Sequence, residues 1–204
     1  MNLSKVTTST AERKKLRRNL RLWVKRATNQ EILDGLTWYN EAMAYTQALS
    51  TTFGVSREIA AGVISALSPN NRWERNKRDA MKVLQAVKDG MPEDSVSVCT
   101  FDRNKSKAFE IARGNRKVLR QSPKTFAFAR NVGERDENHV TIDRWHLRAC
   151  QSVSMKPIKL AESCSAKQYR IIEEETMKVA REHGMTGYAL QAVIWVTIRN
   201  RWNN

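Results

Sequence analysis

Apolar positions recur along most of the chain at intervals of three and four residues, the period of a helix buried along one side. In residues 10–28, Leu16, Leu20, Trp23 and Val24 form one stripe, while Arg13, Lys14, Arg17, Arg18, Arg21 and Lys25 cover the other side. Residues 29–53 carry a second helical pattern through Ile32, Leu33, Leu36, Trp38 and Tyr39, which stops at Phe53-Gly54; glycine suits the position just past a helix. Ser56 is placed to cap a third helix, apolar almost all round through Ile59, Ala60, Val63, Ile64 and Leu67 and therefore expected to be central. Ser68-Pro69-Asn70-Asn71 breaks it. A charged helix over 72–89 ends at Gly90, residues 91–103 read as a loop, and 104–113 as a short basic helix stopping at Gly114-Asn115. Ser122 and Pro123 have the character of a cap and first helical residue, residues 133–139 form a polar loop, and 143–152, 166–183 and 188–202 are again helical.

This pattern predicts an all-α chain, a bundle of roughly eight to ten helices. No internal repeat interrupts it, and only residues 90–103 and 153–165 are soft enough to be boundaries. The expectation is one helical domain over 1–204, two-lobed, with a basic N-terminal helix (10–28) and a C-terminal helix (188–202) packing back on the core.

Charge changes the picture most. Among 204 residues, 36 Lys and Arg stand against 21 Asp and Glu, a formal net charge of +15. Such an excess favours a polyanionic partner, nucleic acid first among them. A merely solvated basic face and an acidic membrane surface are the alternatives. No apolar run is long enough to span a bilayer, and the N-terminus lacks the apolar core of a signal peptide, so a cytoplasmic protein is expected. Three cysteines, Cys99, Cys150 and Cys164, make no disulfide framework and cannot ligate an iron–sulfur cluster. His139, His146 and His183 are scattered, so neither a metal nor another cofactor is expected, and the chain reads as a monomer.

Two segments, SPKTFAFARNV (122–132) and VTIDRWHLRAC (140–150), set Lys124-Thr125 and Ile142-Asp143 on either side of a helix and a loop. Together with Ile64-Ser65-Ala66-Leu67 and Asn76, their order resembles the endonuclease III-like helix-hairpin-helix DNA glycosylases over about residues 30–150. ALSPNNRWERN and LQAVIWVTIRNRW are similar to small phage-encoded proteins of this type, some of which install hypermodified bases. The chain departs from the family where its hairpin glycines should be: Val118 to Pro123 contains none. The family's iron–sulfur cysteines are also missing.

The resemblance implies an enzyme that flips a base out of DNA and cleaves its N-glycosidic bond, with Lys124 and Asp143 as the catalytic pair. A base-modifying transferase and a non-catalytic DNA-binding module are the alternatives. Asp143 precedes helix-favouring residues and reads as an N-cap carboxylate. Lys124 sits in a first helical turn, where the dipole disfavours a cation and promotes a neutral, nucleophilic amine. DNA contacts are expected from Pro69, Asn70, Asn71, Arg72, Arg75, Arg120, Ser122, Thr125 and Arg144, and a base pocket from Trp38, Tyr39, Trp73 and His146. For each there is a plainer structural role: cap, turn, surface cation or core aromatic.

Overall fold

Side chains open the helices where the pattern places them. Ser9, Ser56, Ser122, Asp143 and Ser165 each accept the backbone N–H three residues on, satisfying a donor that the first helical turn leaves unpaired. Thr28 with Glu31, and Ser165 with Gln168, complete reciprocal capping boxes. The computed structural model describes residues 1–155 and 159–202. Among them lie nine α-helices and no strand: α1 (Thr10–Arg26), α2 (Asn29–Phe53), α3 (Arg57–Leu67), α4 (Trp73–Lys88), α5 (Asp102–Ala112), α6 (Pro123–Glu134), α7 (Arg144–Gln151), α8 (Ala166–Glu182) and α9 (Gly187–Trp202). Short 3-10 turns occupy Leu3–Lys5, Glu93–Ser95 and Arg116–Gln121. None of the described helices is long and apolar enough to cross a membrane.

The chain divides into two compact units, one made of Met1–Asn40 with Glu137–Asn204 and the other of Glu41–Asp136. The divisions fall inside α2 and after α6, not at the expected soft stretches. Those stretches are irregular in pattern yet tied down by side chains. In 90–103, Cys99 donates its N–H to Asp79 Oδ2 (2.9 Å) and Thr100 Oγ1 donates to the Pro69 carbonyl (3.1 Å). In 153–165, of which 156–158 lie outside the described residues, Gln151 holds both the N–H and the carbonyl of Ala161. A polar loop with its backbone so satisfied belongs to the unit it touches.

In the first unit, Leu16, Leu20 and Trp23 of α1 are fully buried with Ile172, Leu190, Ile194 and Ile198, and α9 packs against α1, α7 and α8. Asn19 Nδ2 and Trp23 Nε1 donate to the carbonyls of Cys150 (2.9 Å) and Ser152 (3.0 Å), fixing α1 on the end of α7.

In the second unit α3 is the hub, packing against α4, α5 and α6. Ala60 through Leu67 are all buried, as their uninterrupted apolar character requires. Small residues bring the helices close. A Cβ on Gly133 of α6 would lie 2.8 Å from Ala61 Cβ, and one on Gly62 would lie 2.7 Å from Ile111 Cγ2. The segment expected to form the hairpin, Val118 to Pro123, is instead the end of the glycine-free 3-10 turn running into the Ser122 cap.

α6 ends on Arg135 in the left-handed region (φ 54°), a conformation in which a Cβ is strained and glycine is not. Arg135→Gly is expected to raise stability by about 0.5–1 kcal/mol, seen as a higher melting temperature. A lower one would refute the left-handed cap.

Candidate nucleic-acid interface

A cleft of about 390 Å³ opens in the second unit where the α3–α4 turn, the start of α5, the 3-10 turn at 116–121 and the start of α6 converge. Four residues expected at a DNA contact, Pro69, Asn70, Ser122 and Thr125, line it together. Four others were not anticipated: Phe101, Arg103, Asn104 and Lys107. Its floor is apolar, from Ala66, Ile111, Val118 and Leu119, and no acidic residue lines it.

The rim is held in place by local bonds. Ser122 Oγ accepts from the Thr125 hydroxyl (3.0 Å), and Ser65 Oγ donates to the Thr125 carbonyl, anchoring the start of α6 on α3. Asn70 adopts a left-handed backbone (φ 58°), which asparagine tolerates better than most residues. The turn on either side of it is tied by Thr100 to Pro69 and by Asn71, whose side-chain amide donates to Leu67 O (3.3 Å) and Asp79 Oδ2 (2.9 Å). Asn71 thus serves inside the unit, whereas Asn70 is exposed.

The basic residues differ in how they are compensated, and on α1 exposed Lys14 and Arg18 stand beside paired neighbours. On α1, Arg17 pairs with buried Glu175, Arg21 with Glu182 (2.6 Å), Lys15 with Glu12 (2.9 Å), and Arg13 donates to the Val6 and Thr7 carbonyls. Around the cleft the situation is reversed. Residues 103–124 contain eight Lys or Arg and a single acid, Glu110. Among the described residues Arg103, Lys107, Lys117, Arg120 and Lys124 have no acidic partner within ion-pair distance. Arg103 lies over the ring of Phe101 (5.6 Å), which is itself 53% exposed. The signal in the sequence was the charge density of this stretch and the lone phenylalanine just before α5.

Of the other expected DNA contacts, Arg72 precedes α4 and is exposed, while Arg75 Nη1 lies 3.0 Å from Cys99 Sγ. Trp73 is half-buried, edge-on to Tyr45 at 6.3 Å. Arg144, in the first unit, is exposed and stacks on Trp145 (5.5 Å).

Lys124 and Asp143 belong to different units, and each is described in its own. Lys124 is half-buried in the first turn of α6. Asp143 caps α7, its Oδ1 accepting the His146 N–H at 2.7 Å. The strand-like approach to it is pinned by α8: Tyr169 Oη donates to Val140 O (2.7 Å) and accepts from Ile142 N (3.0 Å), and Glu173 accepts from Val140 N (2.8 Å).

Three residues expected in a base pocket, Trp38, Tyr39 and His146, lie in the same unit as Asp143. Tyr39 is buried and its hydroxyl bonds Gln191 Oε1 (3.0 Å); Trp38 meets Tyr39 edge-on at 4.8 Å, and Tyr188 lies 5.1 Å away. Burial pushes the Tyr39 phenol up, with a smaller contribution from the Asp143 carboxylate in the same direction. His146 is 1% exposed and bonds Thr176 Oγ1 at 2.9 Å. Thr176 donates its own hydroxyl proton to Ile172 O, so His146 Nε2 carries the proton in that bond. Burial lowers the His146 pKa to about 3. It is a neutral core histidine, not a lining residue of an open pocket.

Because that folded value is below the unfolded one near 6.5, the unfolded chain binds more protons between the two. Stability therefore falls as pH drops through that window. From pH 6.5 to 5.5 this group alone is expected to cost about 1 kcal/mol, measured from urea midpoints. A His146→Gln variant retaining the same slope would rule out this origin.

Among the described residues no group of three His, Cys, Asp or Glu could hold a metal ion. No curated protein and no solved structure matches the chain. The labels drawn from the resemblance (DNA glycosylase, helix-hairpin-helix, hydrolase, phage) are withdrawn on two findings. The supposed hairpin is a glycine-free 3-10 turn, and the family model that fits nearly the whole length carries none of these labels. That model, matching residues 2–202, describes a family of unknown function (DUF7178), and the chain belongs to it.

Proposed function

We propose that this chain binds DNA and that the basic face of the second unit carries the contact. The observation that supports it is the cluster of five cations without acidic partners on and beside the cleft: Arg103, Lys107, Lys117, Arg120 and Lys124. A cation already paired within the protein neutralises little phosphate charge and so frees few of the counterions condensed on DNA, whereas an unpaired one frees them in full. On the expected DNA-binding helix, α1, Arg13, Arg17 and Arg21 are already occupied within the protein, whereas the five cations around the cleft are uncompensated as a group.

The test is the salt dependence of affinity for a labelled duplex. Five phosphate contacts predict a log–log slope of about −4.5, or a loss on the order of several hundredfold between 50 and 200 mM salt. A slope near zero would remove the proposal.

A second reading adds chemistry at Asp143, supported by the buried Tyr39 phenol within electrostatic reach of its carboxylate, with Tyr188 against the Tyr39 ring. In it Lys124 stays a phosphate contact. Asparagine caps a helix about as well as aspartate, so Asp143→Asn keeps α7 and removes only the charge. The expected result is unchanged melting and DNA affinity with loss of any turnover the wild type shows on a panel of normal and modified duplexes. Equal turnover by both proteins would sink this reading.

A further inference from the structure

Resting on the DNA-binding reading, we infer that the cleft of the second unit takes an unstacked nucleotide, so that the preferred ligand is a single strand. A duplex offers a protein phosphates and the edges of paired bases, and its flat base faces are hidden in the stack. Phosphates alone would be served by an open basic surface. This cleft has more than that: an apolar floor of Ile111, Val118 and Leu119 beneath a polar and cationic rim. That arrangement matches one nucleotide, whose base has apolar faces and polar edges and whose phosphate is anionic.

Phe101 supplies the stacking surface. It stands at the mouth, 53% exposed, and the guanidinium of Arg103 lies 5.6 Å from its ring centroid. A phenylalanine kept in water beside an arginine is costly for a fold and suited to a base, which both the ring and the guanidinium plane can stack against. Asn70, exposed in the same cleft, offers an amide able to bond a base edge. Lys107 is placed on the same rim for the backbone. The turn bearing Asn70 is already fixed by Thr100 and Asn71, so little ordering cost remains on binding. The absence of any acidic lining residue argues against a metal or cationic ligand.

The experiment compares a fluorescent twelve-nucleotide oligothymidine with a twelve-base-pair duplex, using the full chain as wild type, Phe101→Ala, Phe101→Trp and Lys107→Gln. Because Phe101 is exposed, its replacement is not expected to unfold the unit; circular dichroism melts check this. The wild type is expected to prefer the single strand. Phe101→Ala should weaken single-strand binding about tenfold, the range of one base–aromatic stack, and leave duplex binding unchanged. Phe101→Trp should restore it, and Lys107→Gln should weaken both ligands together. The inference is overturned by equal affinity for the two ligands, or by Phe101→Ala changing neither or changing both alike. Salt-dependent binding without strand preference defeats this inference and leaves the DNA-binding reading standing; absence of salt-dependent binding to either ligand defeats both.

Discussion

Reversing the charge of Arg103 and Lys107 together is expected to weaken DNA binding on the order of a hundredfold at low salt and to shallow the salt slope by about 2. Each reversal removes a contact that would release a counterion and places an anion against the phosphates. Neither side chain is engaged in an ion pair, so folding should not suffer. The control is the same change in net charge elsewhere: Lys14→Glu with Arg18→Glu, both exposed on α1. If binding followed only the overall +15, the two double variants would lose affinity equally. If the α1 face were the contact, the control would lose more. Only an interface around the cleft gives a large loss for Arg103/Lys107 and a small one for Lys14/Arg18, read by anisotropy titration at two salt concentrations.

That contrast also shows what the sequence could and could not convey. Helix positions were legible because each is signalled locally, by a cap such as Ser56 or Ser122 and by apolar residues at helical spacing, and the structure starts α3 and α6 there. The all-round apolar run from Ala60 likewise announced a central helix. Charge compensation is different. Arg17 finds Glu175 and Arg21 finds Glu182 across more than 150 positions, and no local pattern reports such a pairing. The local pattern of a basic helix therefore gives no sign that Arg13, Arg17 and Arg21 are occupied while Lys14 and Arg18 stay exposed. His146 shows the same limit: its sequence position one turn beyond Asp143 suggests open chemistry, and packing against Thr176 puts it in the core. The unit boundary was hidden for a related reason. The division at residue 40 falls within the unbroken helix α2, where composition does not change. The cleft was half visible: Pro69, Asn70, Ser122 and Thr125 stood out as turn and cap residues, while Phe101 and Arg103 sat in a stretch read as loop.

Gly35→Ala is expected to be the most damaging single-methyl change in the chain, with a loss of about 3 kcal/mol or more. Gly35 lies in α2, a helical position where alanine would ordinarily stabilise by up to about 1 kcal/mol. Here the two helices leave no room. A Cβ built on Gly35 would lie 2.5 Å from Val193 Cα and 2.6 Å from Val193 N on α9. Side-chain atoms can give by a few tenths of an ångström before such an intrusion, as Ile111 Cγ2 would have to for a methyl on Gly62. Backbone atoms cannot, so α9 would have to translate. Its buried face, with Leu190, Ile194 and Ile198 all fully buried, would then lose contacts along its length. The same move would disturb Arg201, which ties the end of α9 to Glu31 at 2.7 Å and so to the capping box of α2. Urea denaturation measures the effect, with Gly62→Ala for comparison at a smaller expected cost. If Gly35→Ala proved neutral, the close approach of α2 and α9 would be wrong, and with it the placement of Tyr39 against Gln191 and Tyr188.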